Sequence, residues 1–229
     1  MRQLVPQLVI FDCDGVLVDS EPISNEVLAH ELTAAGLQTT PAEAIELYKG
    51  RILNDVLAVA ESRLGRSLPE GFGDRYERRR TLEFQRRLQP IDGAAETVKR
   101  VRAAGIDVCV ASQGKPEKTE LTLGLTGLRP LFGDDALFSA YSVPRGKPYP
   151  DLFLFAAAAM GAPPARCVVV EDTELGVRAA TAAEMRVFAY VADADEAALQ
   201  AAGAEGVLRR LADFPAAIGV DAGVSSQRT

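Results

Sequence analysis

The feature that most constrains this chain is a short apolar run that ends in two aspartates. Residues 8–11 read Leu-Val-Ile-Phe, and Asp12 and Asp14 follow, with Gly15 behind them. Four consecutive large apolar residues predict a strand buried on both faces. Asp12 would lie at its carboxyl end, and Asp14 reaches the same place only if the chain turns, which Gly15 permits. Two such acids usually share a cation or a proton, and Mg²⁺ is the expected cation.

The composition indicates a folded, acidic protein. Hydrophobic residues make up 48% of the 229 positions and charged residues 25%, which predicts an ordered core. The net charge of −7 and the pI near 4.9 disfavour nucleic acid as a partner. No apolar run of about 18 residues and no apolar signal sequence occur, so no membrane association and a cytoplasmic location are expected.

The three cysteines are expected to be reduced core residues. Each lies in a separate apolar run, and their number is odd, which disfavours a disulfide framework. In cysteine-dependent phosphatases an arginine follows the nucleophile by six positions. The residues six positions after Cys13, Cys109 and Cys167 are Asp19, Lys115 and Thr173. That mechanism is therefore excluded.

Between the first strand and about residue 90 the periodicity is helical. Apolar residues recur every three or four positions, and Thr40 and Glu43 form a capping-box pattern with Pro41 at the first helical position. A fourth helical segment, about 72–88, is rich in arginine, which is typical of a solvated face, although one arginine could reach a crevice. The predicted units are a helical cap domain at 17–90, a core domain at 1–16 and 91–220, and a flexible tail at 221–229.

The remaining chain alternates strands and helices. Apolar runs predict further strands at 106–111, 136–139, 166–170, 186–191 and 206–208. This order predicts an α/β fold with a Rossmann-like, mostly parallel sheet core and helices on both faces. Because ligands bind at the carboxyl ends of such strands, Asp12, Ser112 and Asp172 are expected in one crevice.

Four motifs at these strand ends resemble those of the haloacid dehalogenase-like superfamily. They are Asp12-Cys13-Asp14-Gly15-Val16, Ala111-Ser112, Gly146-Lys147-Pro148 and Glu171-Asp172. Each motif alone is weak, but all four in this order are specific. The resemblance covers residues 8 to about 208 and is to the branch with a helical cap, subfamily I. Within it the chain is similar to phosphatases of the β-phosphoglucomutase and phosphoglycolate phosphatase-like group, including 6-phosphogluconate phosphatase-like enzymes.

The resemblance implies a catalytic role for each aspartate of the first motif. Asp12 would be the nucleophile, which forms an aspartyl-phosphate, and Asp14 would be the general acid and base. The ligands of the cofactor Mg²⁺ would be Asp12, the backbone carbonyl of Asp14, Asp172 and Glu171. Glu171 would act directly or through a water molecule.

The resemblance also implies residues that bind substrate. The phosphoryl group would contact Ser112, Gln113 and Lys147. Substrate contacts from the cap would come from Glu21, Lys49, Gly50 and Arg51. Alternatives remain open at this stage, because Ser112 could be a helix N-cap, Lys147 a solvated loop lysine, and residues 49–51 a solvated loop.

Three positions depart from the family pattern or stand apart from it. Gln113 stands where asparagine is frequent, which could change contacts near the phosphate. Glu184 stands where glycine is frequent, at a helix end, and is expected to affect stability only. The single histidine, His30, has polar neighbours on the first cap helix and is expected at the surface.

The predicted function is hydrolysis of a small phosphate monoester, a sugar phosphate or a phospho-acid. A mutase of the β-phosphoglucomutase type is the alternative, although its cap histidine and arginine are missing near Ser24 and Leu53. Asp14 argues against a haloacid dehalogenase, and the intact motifs argue against a non-catalytic binding protein. The expected partner is a small phosphorylated metabolite, and the expected assembly is a monomer or weak homodimer.

Overall fold

Six parallel strands form the centre of the molecule. The computed structural model describes residues 5–191 and 195–220, so the tail predicted to be flexible, 221–229, lies outside the described residues. The strands are β1 (Leu8–Phe11), β2 (Asp107–Ser112), β3 (Leu137–Ser139), β4 (Cys167–Glu171), β5 (Arg186–Tyr190) and β6 (Gly206–Leu208). Their order is β3-β2-β1-β4-β5-β6, and every neighbouring pair is parallel. The predicted α/β, Rossmann-like fold is confirmed.

Helices occupy the segments between the strands. Those of the predicted cap are α1 (Glu21–Ala34), α2 (Pro41–Tyr48), α3 (Leu53–Leu64) and α4 (Phe72–Arg87). Those of the predicted core are α5 (Ala94–Ala103), α6 (Pro116–Leu125), α7 (Asp151–Ala159), α8 (Glu174–Ala182), α9 (Glu196–Ala201) and α10 (Phe214–Ala217). The sequence pattern does not predict α9 and α10, because helices of six and four residues are too short to show a helical period. None of the described helices has the length and apolar character needed to span a membrane.

The register of the central strands brings the four motifs to one edge of the sheet. All four residues of β1 are buried, and Phe11 lies opposite Val110 of β2 and Val170 of β4. The next residue, Asp12, donates its backbone N–H to the Val170 carbonyl at 2.9 Å. The carboxyl ends of β2, β1 and β4 therefore meet side by side, as expected for parallel strands at the middle of a sheet.

Helices α1–α4 enclose a second hydrophobic cluster. Its buried members include Leu28, Leu32, Tyr48, Val56 and Phe72. The capping box that opens α2 is formed, since Thr40 Oγ1 accepts from the Glu43 N–H at 3.2 Å and Glu43 accepts from the Thr40 N–H at 2.7 Å. Ile23 and Phe84, at the ends of α1 and α4, instead belong to the cluster around the sheet. The separate cluster supports a cap domain, whose boundaries at 17 and 90 stay a prediction.

The cysteines and the histidine lie where the sequence predicts. Cys13, Cys109 and Cys167 are buried free thiols, and burial raises the pKa of each. The His30 side chain is 62% exposed, and its Nδ1 lies 3.1 Å from Arg79 Nη1. None of these four side chains takes part in the crevice described below.

Glu184 adopts a backbone conformation that favours glycine. It follows α8 with φ +57°, in the left-handed region, and its side chain is exposed. An L-residue there costs roughly 1–2 kcal/mol, while glycine adds roughly 0.4–1 kcal/mol of unfolded-state entropy. We expect Glu184→Gly to stabilise the protein by about 0.5–1 kcal/mol and raise Tm by about 1–4 °C in thermal denaturation. Ala183→Gly, where φ is −82°, is the control and should lower Tm; a lower Tm for Glu184→Gly would contradict the assignment of strain.

Candidate active site

Asp12 and Lys147 form a buried ion pair at the carboxyl end of β1. Lys147 Nζ lies 2.6 Å from Asp12 Oδ1, donates to the Ala111 carbonyl at 3.1 Å, and contacts Glu171 Oε1. The Lys147 side chain is 2% exposed, so its interpretation as a solvated loop lysine is wrong. Burial lowers the pKa of Lys147, but Asp12 and Glu171 outweigh it and hold that pKa well above its usual value. Lys147 therefore keeps its positive charge beside Asp12.

Glu171 is fixed by backbone and side-chain donors at the end of β4. Its Oε2 accepts from the N–H groups of Asp172 and Thr173 and from Thr173 Oγ1, each at 2.9 Å. Thr173 is also the N-cap of α8, since its Oγ1 accepts from the Gly176 N–H at 3.1 Å. A Cβ on Gly176 would collide with the Glu171 carboxylate, so only glycine allows this helix end to pack so closely.

Three buried carboxylates form a set that fits a hard divalent cation. Oxygens of Asp12, Glu171 and Asp172 all lie within 4.8 Å of one another. Asp172 Oδ1 is buried and has no hydrogen-bond partner among the described residues. Burial raises the pKa of Asp12, and it raises the pKa of Asp172 to about 7. Mg²⁺ prefers oxygen donors of this kind, and its charge would favour their ionised forms.

Gly15 turns the chain so that Asp14 reaches the same crevice. Its φ is +78°, a conformation that L-residues with a side chain rarely adopt. A Cβ at this position would also collide with the Asp172 carboxylate. Conformation and close approach therefore both require glycine here.

Asp14 is paired with a lysine from α6 and two hydroxyl groups. Its Oδ1 contacts Lys118 Nζ and Ser20 Oγ, and its Oδ2 accepts from Ser112 Oγ at 3.4 Å. Burial raises the pKa of Asp14, but Lys118 and Ser20 outweigh it and hold that pKa below its usual value. The alternative role of Ser112 as a helix N-cap is wrong, because the N-cap of α6 is Lys115.

The cap contacts the core through the loop after α2. Lys49 Nζ lies 2.6 Å from Asp172 Oδ2. Gln113 donates from Nε2 to the Gly50 carbonyl at 3.3 Å and accepts from the Lys147 N–H at 3.0 Å. Gln113 thus links the cap loop at Gly50 to the core loop that carries Lys147. Lys49 and Gly50 lie against the core, so the interpretation of this loop as solvated is wrong at these two residues.

Two further predicted cap residues line the crevice between cap and core. Arg51 is exposed at its rim and donates from Nε to the Leu47 carbonyl at 3.0 Å. Glu21, the first residue of α1, accepts from Asn25 Nδ2 at 2.9 Å. Burial, followed by the nearby Asp14 charge, raises the pKa of Glu21. The roles of Glu21, Lys49, Gly50 and Arg51 in substrate binding stay predictions.

Three cations that line the crevice, Lys115, Lys118 and Arg80, are not among the site residues that the sequence predicts. Lys118 lies in the first turn of α6, which follows the short loop after Ser112, the last residue of β2. That position was a usable signal, because the first turn of a helix that follows a parallel strand borders the crevice. Arg80 is the arginine of α4 that lines the crevice, in agreement with the expectation that one arginine of this helix could do so.

Comparisons with known proteins agree with this geometry. Residues 6–184 match the family of haloacid dehalogenase-like hydrolases. The chain is 31% identical over 188 residues to 6-phosphogluconate phosphatase of Escherichia coli (strain K12), covering 82% of this chain and 83% of that protein. It is also 31% identical over 180 residues to hexitol phosphatase B of Escherichia coli (strain K12), covering 77% and 80%. A crystal structure of a family hydrolase from Deinococcus radiodurans R1, with bound phosphate and sodium, has a TM-score of 0.77 and 34% identity over 94% of this chain and 97% of that one.

Proposed function

The chain belongs to the haloacid dehalogenase-like hydrolase family, and we propose that it is an Mg²⁺-dependent phosphatase that acts on small phosphate monoesters. The observation that carries this proposal is the buried group at the sheet edge, where Lys147 pairs with Asp12 beside the acidic pair Glu171–Asp172 and Asp14 faces the same crevice. A nucleophile, a fixed cation, a metal-binding carboxylate set and a second acid are the parts that phosphoryl transfer to a carboxylate needs.

Asp12 is the proposed nucleophile. Its carboxylate attacks phosphorus, the bond from phosphorus to the substrate alcohol breaks, and an aspartyl-phosphate forms. Lys147 holds the Asp12 carboxylate by a 2.6 Å hydrogen bond and keeps its own charge for the incoming phosphoryl oxygens. The Ser112 hydroxyl, at the carboxyl end of the neighbouring strand β2, is the proposed second phosphate contact.

Asp12, Asp172, Glu171 and the backbone carbonyl of Asp14 would hold Mg²⁺. When bound, the ion offsets the repulsion between these carboxylates and an anionic phosphate. The buried, unpartnered Asp172 Oδ1 supports this assignment, because a buried acceptor without a partner is costly. Three donors already bond to Glu171 Oε2. Its Oε1 is therefore the oxygen that remains for Lys147, a water molecule or the ion.

Asp14 is the proposed general acid and base. It protonates the leaving alkoxide and then takes a proton from the water molecule that hydrolyses the aspartyl-phosphate. The approach of an anionic phosphate raises the pKa of Asp14, because a like charge disfavours the ionised form. The protonated form of Asp14, which the first step needs, is therefore favoured. The Lys118 ammonium favours the carboxylate, which is the form that the second step needs.

The proposed substrates are phosphorylated sugar derivatives. The named relatives are a 6-phosphogluconate phosphatase and a hexitol phosphatase. Hydrolysis is preferred to a mutase reaction because Ser24 and Leu53, near which the mutase histidine and arginine would stand, line the crevice here. Neither side chain can supply the charge or the proton transfer of those residues.

We expect the purified protein to release inorganic phosphate from p-nitrophenyl phosphate, 6-phosphogluconate and glucitol 6-phosphate when Mg²⁺ is present. EDTA should abolish the release and excess Mg²⁺ should restore it, since the three buried carboxylates would lose and regain their cation. Ca²⁺ should oppose Mg²⁺, because its larger and looser coordination shell misplaces the phosphate. Hydrolysis that persists unchanged in EDTA, or its absence on all three substrates, would contradict the proposed function.

A further inference from the structure

The buried polar atoms that lack partners converge on the crevice. Among the described residues, three buried side-chain nitrogen or oxygen atoms have no hydrogen-bond partner: Asp172 Oδ1, Tyr48 Oη and Arg80 Nε. The first belongs to the proposed metal set. The other two come from helices α2 and α4 of the cap, and both residues line the crevice. A buried donor without a partner destabilises the protein, so these two groups point to a polar ligand on the cap side.

Arg80 differs from the three lysines that line the crevice with it. Lys147 pairs with Asp12, Lys118 with Asp14, and Lys115 with Glu77 at 2.8 Å. No carboxylate within residues 5–191 or 195–220 forms an ion pair with Arg80. Its Nη1 donates a hydrogen bond to Tyr76 Oη at 3.3 Å.

The surroundings of Arg80 are suited to binding an anion. Its guanidinium carbon lies 4.9 Å from the ring centre of Tyr76 and 5.8 Å from that of Phe84. These rings hold the planar group in place and remove water from its faces, so its free N–H donors are already oriented. A carboxylate or phosphate is the strongest partner for such a fork, because two charge-assisted hydrogen bonds can form in parallel.

The position of Arg80 assigns that anion to the leaving group. Arg80 and Lys118 both lie near the Phe84 ring, with Arg80 Cζ 5.8 Å and Lys118 Nζ 6.0 Å from its centre. Because Lys118 contacts Asp14, Arg80 lies on the Asp14 side of the crevice. Asp14 is the residue proposed to protonate the alcohol that leaves, whereas Lys147 and Ser112 contact the phosphoryl group. Arg80 therefore faces the part of the substrate that differs between one phosphate monoester and another. The buried Tyr48 hydroxyl offers a further hydrogen bond to a hydroxylated carbon chain.

We propose that Arg80 determines specificity by binding a second anionic group on the leaving-group alcohol, so that the preferred substrate is a phosphorylated polyhydroxy acid and not a neutral sugar phosphate. This proposal rests on the phosphatase activity proposed above. The proposal distinguishes phosphorylated polyhydroxy acids from neutral sugar phosphates that have the same carbon chain and the same phosphate. Carboxylate is the expected anion, and a second phosphate has the same binding chemistry.

The test compares 6-phosphogluconate with glucitol 6-phosphate, which differ only in a carboxylate or a CH₂OH group at C1. Wild-type kcat/KM should favour the acid by roughly 10- to 100-fold, as expected for a hydrogen bond to a charged group. Arg80→Gln should lower kcat/KM for the acid by a similar factor and change it by less than about threefold for glucitol 6-phosphate and p-nitrophenyl phosphate. Arg80→Lys, which keeps the charge but not the fork, should recover part of the loss. Arg78→Gln, at an exposed position of the same helix, is the matched control and should behave as wild type.

The other outcomes would each refute a different part of the proposal. Equal losses of Arg80→Gln on the acid and on glucitol 6-phosphate, or a loss shared by p-nitrophenyl phosphate, would mean that Arg80 supports the cap and does not read the substrate. No preference of the wild type for the acid would refute the inference while leaving the phosphatase intact. A preference for glucitol 1,6-bisphosphate over 6-phosphogluconate, abolished by Arg80→Gln, would keep the anion site and replace carboxylate by phosphate. Absence of hydrolysis of p-nitrophenyl phosphate by the wild type would refute the proposed function itself.

Discussion

Asp12→Asn is expected to lower turnover of every substrate by several orders of magnitude, because an amide cannot serve as the nucleophile that accepts the phosphoryl group. The fold should persist. Lys147 keeps Glu171 and the Ala111 carbonyl as partners. The substitution also removes one of three crowded carboxylates. Burial already raises the pKa of Asp12, which means that its charged form is disfavoured there, so loss of the charge should not destabilise the fold. Steady-state rates on p-nitrophenyl phosphate and 6-phosphogluconate, together with Tm, test both halves of this expectation.

Asp19→Asn is the matched control for Asp12→Asn. It makes the same chemical change seven positions later, at an exposed residue of the same segment, and should leave turnover and Tm unchanged. An Asp12→Asn protein that keeps a wild-type Tm and hydrolyses phosphate esters within about tenfold of the wild-type rate would rule out Asp12 as nucleophile. Loss of activity together with a large fall in Tm would instead assign Asp12 a structural role in holding Lys147.

The strands and the motif residues at their ends could be predicted because their signals are local. The apolar run 8–11 has only one low-energy place in an α/β protein, the buried centre of a parallel sheet. Asp12 follows that run directly, and the glycine at position 15 supplies the turn that the two aspartates need. Parallel strands then align their carboxyl ends, which brings Glu171–Asp172 beside Asp12 across more than a hundred residues of chain.

The partners of these residues depend on contacts that no local pattern contains. The contact of the Lys49 ammonium with Asp172 exists because the cap loop approaches the end of β4. Its predicted contact with substrate stays a prediction. Which of the arginines of α4 enters the crevice depends on the rotational phase of that helix against the core, and Arg80 is set by Tyr76 and Phe84 beneath it. The helices α9 and α10 are likewise too short to be stable without packing against the rest of the protein.

The position of Lys118 in the sequence does not by itself reveal its importance in the crevice. Surface lysines are common in the first turns of helices, so a lysine there carries little information by itself. Its importance follows from burial, since only 12% of its side chain is exposed, and from its contact with Asp14. Burial lowers the pKa of Lys118, but the Asp14 carboxylate outweighs it and raises that pKa above its usual value. The pair therefore exists as two charges, which makes each partner sensitive to loss of the other.

Asp14→Asn is expected to separate the two half-reactions. p-Nitrophenolate leaves without protonation, so the variant should still form the aspartyl-phosphate from p-nitrophenyl phosphate. Breakdown of that intermediate needs a base and should slow by about 10²- to 10⁴-fold. Rapid mixing should then show a burst of about one p-nitrophenolate per active site, followed by slow turnover, and acid quenching should trap enzyme carrying one phosphoryl group. Glucitol 6-phosphate, whose leaving alkoxide needs a proton, should give no trapped phosphoenzyme.

The Lys118 contact makes stability the necessary control for Asp14→Asn. The variant leaves the buried Lys118 ammonium without a charged partner, and loss of one member of such a pair can cost about 3–5 kcal/mol. The double variant Asp14→Asn/Lys118→Met removes that stranded charge and should recover much of the lost Tm. It should not recover breakdown of the phosphoenzyme, because the base is still absent. If the double variant regained turnover along with Tm, or if Asp14→Asn showed neither a burst nor any difference between the two leaving groups, Asp14 would be a structural partner of Lys118 and not the acid and base of the reaction.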